Sequence, residues 1–265
     1  MPEAASGRTV RIAMWSGPRN VSTALMRAWG SRADTAVTDE PLYAAYLATT
    51  GKDHPMRRAV LGAQSTDWRT VAAHLTGPAP EAPGGTGPAP IWYQKHMAHH
   101  LTPDVERDWL EGFRHAFLIR EPAAMLASLA RVFPDARLED TGLPQQVELF
   151  RRTADRLGHA PPVLDGRDIR AAPAANLRSL CGALGVPWDP AMLAWAPGPR
   201  PTDGVWGPLW YARLYATTGF EPPEAAAAPD APGPLAPVLE AARPLYERLF
   251  AFRLRTTDDR PRTAA

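Results

Sequence analysis

The sequence predicts an α/β fold, a parallel sheet flanked by helices on both of its faces. Three observations carry that expectation. Five short runs of β-forming residues are spread along the chain, each followed sooner or later by a helix-like segment. The first of them, TVRIAMW at 9–15, is apolar enough to read as a buried strand. It ends in Ser16-Gly17-Pro18, a turn signal, and a helical pattern follows at once.

Taken in order, Asn20 is placed to cap a helix over 21–29, whose Val21, Leu25, Ala28 and Trp29 share one face. Strands are expected at 35–38, 91–95, 115–120 and 162–164, and helices fill 43–75 between the second and third strands. The stretch GPAPEAPGGTGPAP at 77–90 has no pattern that could pack, so it reads as a mobile loop. Helices are expected over 145–157, where Val147, Phe150, Ala154 and Leu157 align, over 176–184 and over 238–252. A second mobile Pro/Ala-rich connector covers 221–237, and no internal repeat is present.

A chain of 265 residues with 45% hydrophobic content suits one domain, read as spanning 1–265. Twenty-nine basic residues against 28 acidic ones leave a net charge of +1, too balanced for coating a nucleic acid, so any anion site must be local. The only cysteine, Cys181, reads as a buried structural thiol and fits a reducing compartment. Residues 1–8 lack an apolar signal core and no stretch reaches the length of a membrane span, so a cytoplasmic protein without membrane partners is expected. Thirty prolines, abundant alanine and only two lysines, Lys52 and Lys95, look like the coding bias of a GC-rich bacterial genome. A lysine kept against that bias invites a functional reading.

Ser16-Gly17-Pro18-Arg19-Asn20-Val21-Ser22-Thr23 lies between the first strand and first helix, where free N–H groups and the helix dipole meet an anion. A kinase-type P-loop needs Gly-Lys before its last hydroxyl residue, and Val21 stands there instead. The run Pro18 to Leu25 resembles the 5′-phosphosulfate loop of sulfotransferases, from which Asn20 and Val21 depart. Phe117-Leu118-Ile119-Arg120-Glu121-Pro122 with Ser128 resembles that family's 3′-phosphate motif, a strand ending in Arg with Ser eight residues on. Thr38-Asp39-Glu40-Pro41, Tyr93-Gln94-Lys95-His96-Met97 and Arg200 to Trp206 extend the resemblance over most of the chain. Its closest flavour is a bacterial group with the SGPRNVSTAL-like start.

The resemblance implies a P-loop NTPase-like sulfotransferase fold and an enzyme that uses 3′-phosphoadenosine 5′-phosphosulfate (PAPS) as co-substrate, releases 3′-phosphoadenosine 5′-phosphate (PAP) and needs no metal. Gly17, Pro18, Arg19, Asn20, Val21, Ser22 and Thr23 would hold the 5′ end of the nucleotide. Arg120 and Ser128 would grip its 3′-phosphate, and Arg200 and Trp206 would close over it. The acceptor would be a hydroxyl or similar nucleophile of a small molecule or carrier-bound metabolite, sulfated either as the final product or as a leaving group in a biosynthetic pathway. A protein partner or homo-oligomer stays open.

Transfer needs a base for the acceptor proton and cations at the leaving oxygen. Glu40, just past the second strand, is the preferred base, with a helix-capping carboxylate as its structural alternative. Arg19 is expected beside the bridging oxygen and Lys95 beside the transferred group, while His96, on the opposite face of its strand from Lys95, is the second candidate base. His99 and His100 read as loop residues, and Trp206 is open between stacking on the adenine, roofing the acceptor pocket and core packing. Two other readings stand beside the enzyme: a silent sulfotransferase-like subunit that binds nucleotide or a partner, and a P-loop kinase.

Overall fold

The computed structural model describes residues 9–85, 87–223 and 233–256. All five expected strands form: β1 (Val10–Ser16), β2 (Thr35–Asp39), β3 (Ile91–Met97), β4 (Arg114–Ile119) and β5 (Val163–Asp165). They pair in parallel in the order β2-β3-β1-β4-β5. From β1 the chain goes to the β2 side and from β4 it goes to the β5 side, so the sheet switches direction between these two neighbours. Ligands of open α/β sheets gather at the strand C-termini beside such a point.

The helices are α1 (Ser22–Gly30), α2 (Tyr43–Thr50), α3 (Arg57–Ala63), α4 (Trp68–Thr76), α5 (Pro122–Leu129), α6 (Leu143–Leu157), α7 (Gly166–Ala171), α8 (Pro173–Ala183), the single turns α9 (Gly207–Trp210) and α10 (Ala212–Tyr215), and α11 (Ala236–Phe250). Side chains alternate across β1, so Ala13 and Trp15 join a core with α4, α6 and α11, while Ile12 and Met14 join another with α1 and α8. Both sheet faces are therefore covered, which is why β1 reads as an unbroken apolar run. Cys181 is buried on α8. Among the described residues no helix is long and apolar enough to cross a membrane.

Two expectations need correction. The 77–90 segment packs at two points: Ala82 and Ala89 are buried in the core, Ala89 N–H donates to Pro80 O at 2.8 Å, and Glu81 bridges Pro88. Two isolated alanines can be buried without any helical or strand period, so periodicity misses them. Asn20 does not cap α1; the cap position is Val21, without a side-chain hydrogen bond. Of the 221–237 connector, residues 224–232 lie outside the described residues, and α11 already begins within its C-terminal end.

Candidate active site

β1 delivers Ser16 to the carboxyl edge of the sheet, and the loop that follows is held from several sides. A Cβ on Gly17 would lie 2.4 Å from the Thr141 carbonyl oxygen, so only glycine lets these backbones approach. Arg19 takes the left-handed conformation at φ 56°, whereas Val21 sits at an ordinary φ of −82°. The turn thus needs no glycine at Val21, which accounts for the departure from the family pattern there. Asn20 staples the loop to the sheet: its Nδ2 donates to Leu118 O at 3.3 Å and its Oδ1 accepts from Val21 N–H at 2.8 Å. With neither a side-chain cap nor an acidic residue in its first turn, α1 presents its N-terminal N–H groups to an incoming anion.

The two anion motifs meet. Arg19 Nε donates to Ser128 Oγ at 2.9 Å, and the Arg120 guanidinium donates to the Arg19 carbonyl oxygen. Pro122 opens α5 and Glu121 caps it through Ala123 N–H and Ala124 N–H, which fixes the helix that carries Ser128. A cavity of about 320 Å³ runs along this junction, lined by Arg19, Arg120, Ser128, Arg131, Arg170 and Arg213, with Glu221 as the only acid among the described residues that line it. Burial lowers the Arg19 pKa, and the nearby Arg131 guanidinium lowers it further. Arg131 was missed in the sequence although it follows Ser128 by one helical step; Arg170 and Arg213 come from distant elements and had no signal.

On the other side of Arg19, β2 ends at Asp39 and Glu40 follows it. Glu40 has φ 40°, its N–H donates to Lys95 O at 2.9 Å, and its Oε1 accepts from Lys95 Nζ at 2.6 Å. Arg19 and Glu40 are two of the three non-glycine residues with positive φ among the described residues. Backbone strain of this kind costs about 1–3 kcal/mol and gathers at functional sites. Lys95 Nζ also donates to Asp39 Oδ1 at 2.8 Å and to Tyr211 OH at 2.8 Å. Tyr211 in turn donates to Asp39 Oδ2 and accepts from Trp206 Nε1, both at 2.8 Å. Glu40 joins the network through Oε1, and it lines a neighbouring cavity of about 130 Å³. Burial raises its carboxyl pKa against the pull of Lys95, and Asp39 adds to the rise.

Several expected roles change. Glu40 is no helix cap, because α2 is capped at Leu42 without side-chain help. All three Lys95 N–H donors are occupied within the protein, so Lys95 orients Glu40 rather than reaching a transferred group. His96 faces the core, stacked on Trp15 at 4.4 Å and bonded to Gln94, with burial pushing its pKa down to about 3. Trp206 is 1% exposed and packs with Tyr43, Tyr46 and Tyr211, so it roofs nothing. Arg200 lies away from the arginine-lined groove, where it donates to Ala196 O. The loop it belongs to is instead anchored to α1 by the buried Arg27–Asp203 pair at 2.6 Å.

Gly17 and Pro18 keep their place in the loop, Pro18, Ser22 and Thr23 line the Glu40 cavity, and Thr23 also lines the arginine groove. His54, His99 and His100 line the same cavity, so the last two are buried site residues rather than loop residues. Their rings pack on aromatics: His100 stacks on Tyr43 at 4.7 Å and on Tyr46 at 4.8 Å, and His54 meets Phe133 at 4.5 Å. Burial holds His54 down at about 4 and His99 at about 3, so all are neutral near pH 7.

The family profile described as sulfotransferase domain matches residues 10–253. Two Arabidopsis thaliana proteins, branched-chain-amino-acid aminotransferase-like proteins 1 and 2, are 35% and 33% identical over 213 residues, 80% of this chain. The match covers 37% and 36% of those relatives, so the chain corresponds to little more than a third of their length. Among solved structures, the sulfotransferase domain of the Synechococcus PCC 7002 olefin synthase superposes with a TM-score of 0.50 at 17% identity, covering 95% of this chain and 98% of that one. The sulfotransferase domain from the curacin biosynthetic pathway gives a TM-score of 0.43 at 15% identity, covering 97% and 94%. With an anion loop, a strand-end arginine and its serine assembled at one sheet edge and the profile spanning nearly all described residues, the chain belongs to the sulfotransferase domain family.

Proposed function

We propose that the protein transfers the sulfuryl group of PAPS to a hydroxyl of a small or carrier-bound metabolite. The observation that carries this reading is the direct contact of Arg19 with Ser128 and of Arg120 with Arg19, which makes one basic groove of two sequence-distant anion motifs. The terminal 3′-phosphate belongs with Arg120 and Ser128, and the 5′-phosphosulfate belongs with Ser22, Thr23 and the N–H groups at the start of α1. A groove with five arginines and, among the described residues, a single acid suits a ligand that carries several negative charges.

Glu40 acts as the base. It takes the acceptor hydroxyl proton as the oxygen forms its bond to sulfur, and the bond from sulfur to the bridging oxygen breaks with its electron pair leaving on PAP. Arg19 and the loop amides offset the charge that grows on that oxygen. Lys95, Asp39 and Tyr211 hold the Glu40 carboxylate in place, and the raised Glu40 pKa makes it a better proton acceptor than a surface carboxylate.

The test is release of PAP from PAPS across a panel of hydroxylated small molecules and carrier-bound acceptors, together with calorimetry of nucleotide binding. The reading expects PAP to bind far more tightly than adenosine monophosphate; equal affinity for the two would remove it.

A further inference from the structure

Charge is divided sharply across Arg19. The cations of the nucleotide side all lie in the arginine groove, where PAPS would neutralise them. On the other side the Glu40 cavity carries Lys95, but Asp39 and Glu40 both bind that lysine and leave the cluster with one excess negative charge. The cavity opens past Pro18, His54, His99, Leu129 and Phe133 into a second one of about 460 Å³. There three carboxylates, Asp53, Asp135 and Asp140, face two cations, Lys52 and Arg137, and Lys52 is already paired with Asp140.

The remaining surface near Glu40 is aromatic or neutral. Tyr43, Phe133 and Trp210 present rings, and Leu129, Val132 and Met97 present aliphatic or thioether surface. His99 and His100 are buried with Nδ1 atoms that have no hydrogen-bond partner, polar groups in reach of an acceptor's own polar atoms. Once the donor fills the groove, an acceptor meets net negative potential and ring faces. That setting favours an ammonium through charge and cation–π attraction and opposes a carboxylate or phosphate.

Building on the sulfotransferase reading, we propose that the acceptor site between Glu40 and the His54–His99–Phe133 wall takes small amino alcohols, with the hydroxyl at Glu40 and the ammonium towards Asp53 and Asp135. The ammonium nitrogen has no lone pair while protonated, so the hydroxyl oxygen is the atom that attacks sulfur.

Three probes of matched length test it: 3-amino-1-propanol, 1,3-propanediol and 3-hydroxypropionate, each assayed for sulfated product and PAP release. The expected order in kcat/KM is amine, then diol, then acid, with the amine ahead of the acid by about 100-fold or more. In an Asp53→Asn/Asp135→Asn double variant, whose substituted side chains are exposed, the amine-to-diol ratio should shrink by roughly 3- to 10-fold while PAP affinity holds. The proposal is overturned if 3-hydroxypropionate matches or exceeds the amine, if the double variant keeps the wild-type ratio, or if none of the three is sulfated. PAP binding measured in parallel separates the cases: intact PAP affinity leaves the donor reading standing, and its loss removes both.

Discussion

Arg19 Nε donates to Ser128 Oγ at 2.9 Å, a bond between residues 109 positions apart that joins the loop after β1 to the helix after β4. Arg19 therefore borders both halves of the site, the arginine groove and the Glu40 cavity. Residues that share a ligand and a hydrogen bond do not contribute independently.

A double-mutant cycle reads this coupling. Arg19→Ala and Ser128→Ala should each weaken PAP binding, and together they should cost less than the product of the two effects. Calorimetry on the four proteins measures it, and strictly multiplicative losses would show that the bond is not maintained around the nucleotide.

Acid should unfold the protein from an unusually high pH. His96 and His99 are held at about 3, and His54 and His115 at about 4, by burial first of all, with His100 held well below its ordinary value. In the unfolded chain these rings take protons near pH 6.5, while the native state keeps them neutral, so the unfolded state binds more protons as pH falls. Stability present above pH 6.5 is thus lost on the way down to the folded values of about 3 to 4, by up to about 1.4 kcal/mol per pH unit for each buried histidine. Denaturant melts at pH 7.5, 6.5 and 5.5 follow it; a midpoint unchanged between 7.5 and 5.5 would contradict the buried neutral rings.

The 77–90 segment contributes to the fold through Ala89, which is fully buried. Ala89→Leu inserts three carbons into filled space and should cost about 1–3 kcal/mol by overpacking. Thermal melting reads the loss, and an unshifted midpoint would mean that the segment lifts off without consequence.

The sheet was legible because each strand is a short apolar or β-branched run whose period and bounds are local properties. The anion motifs were legible for a related reason: Arg19, Ser22, Thr23, Arg120 and Ser128 sit at fixed offsets from a strand end and a helix start. What stayed hidden depends on chain reversal. Nothing local in the sequence tells that Tyr211 crosses 172 positions to donate to Asp39, that Arg170 and Arg213 converge on one groove, or that Trp206 turns inward because Tyr211 satisfies its Nε1. Lysine scarcity did point to residues at the site, since Lys95 and Lys52 both line its cavities. It did not tell that each is held in an ion pair.

In the proposed reaction Glu40 takes the acceptor proton while the arginine groove holds the nucleotide. Glu40→Gln keeps the shape of the side chain and its hydrogen bond from Lys95 but removes the basic oxygen. Measured side by side, PAP affinity should stay within a few-fold of wild type while turnover of PAPS with an accepted alcohol falls by roughly 10²-fold or more. A Glu40→Gln protein that retains near wild-type turnover would contradict the assignment of the base.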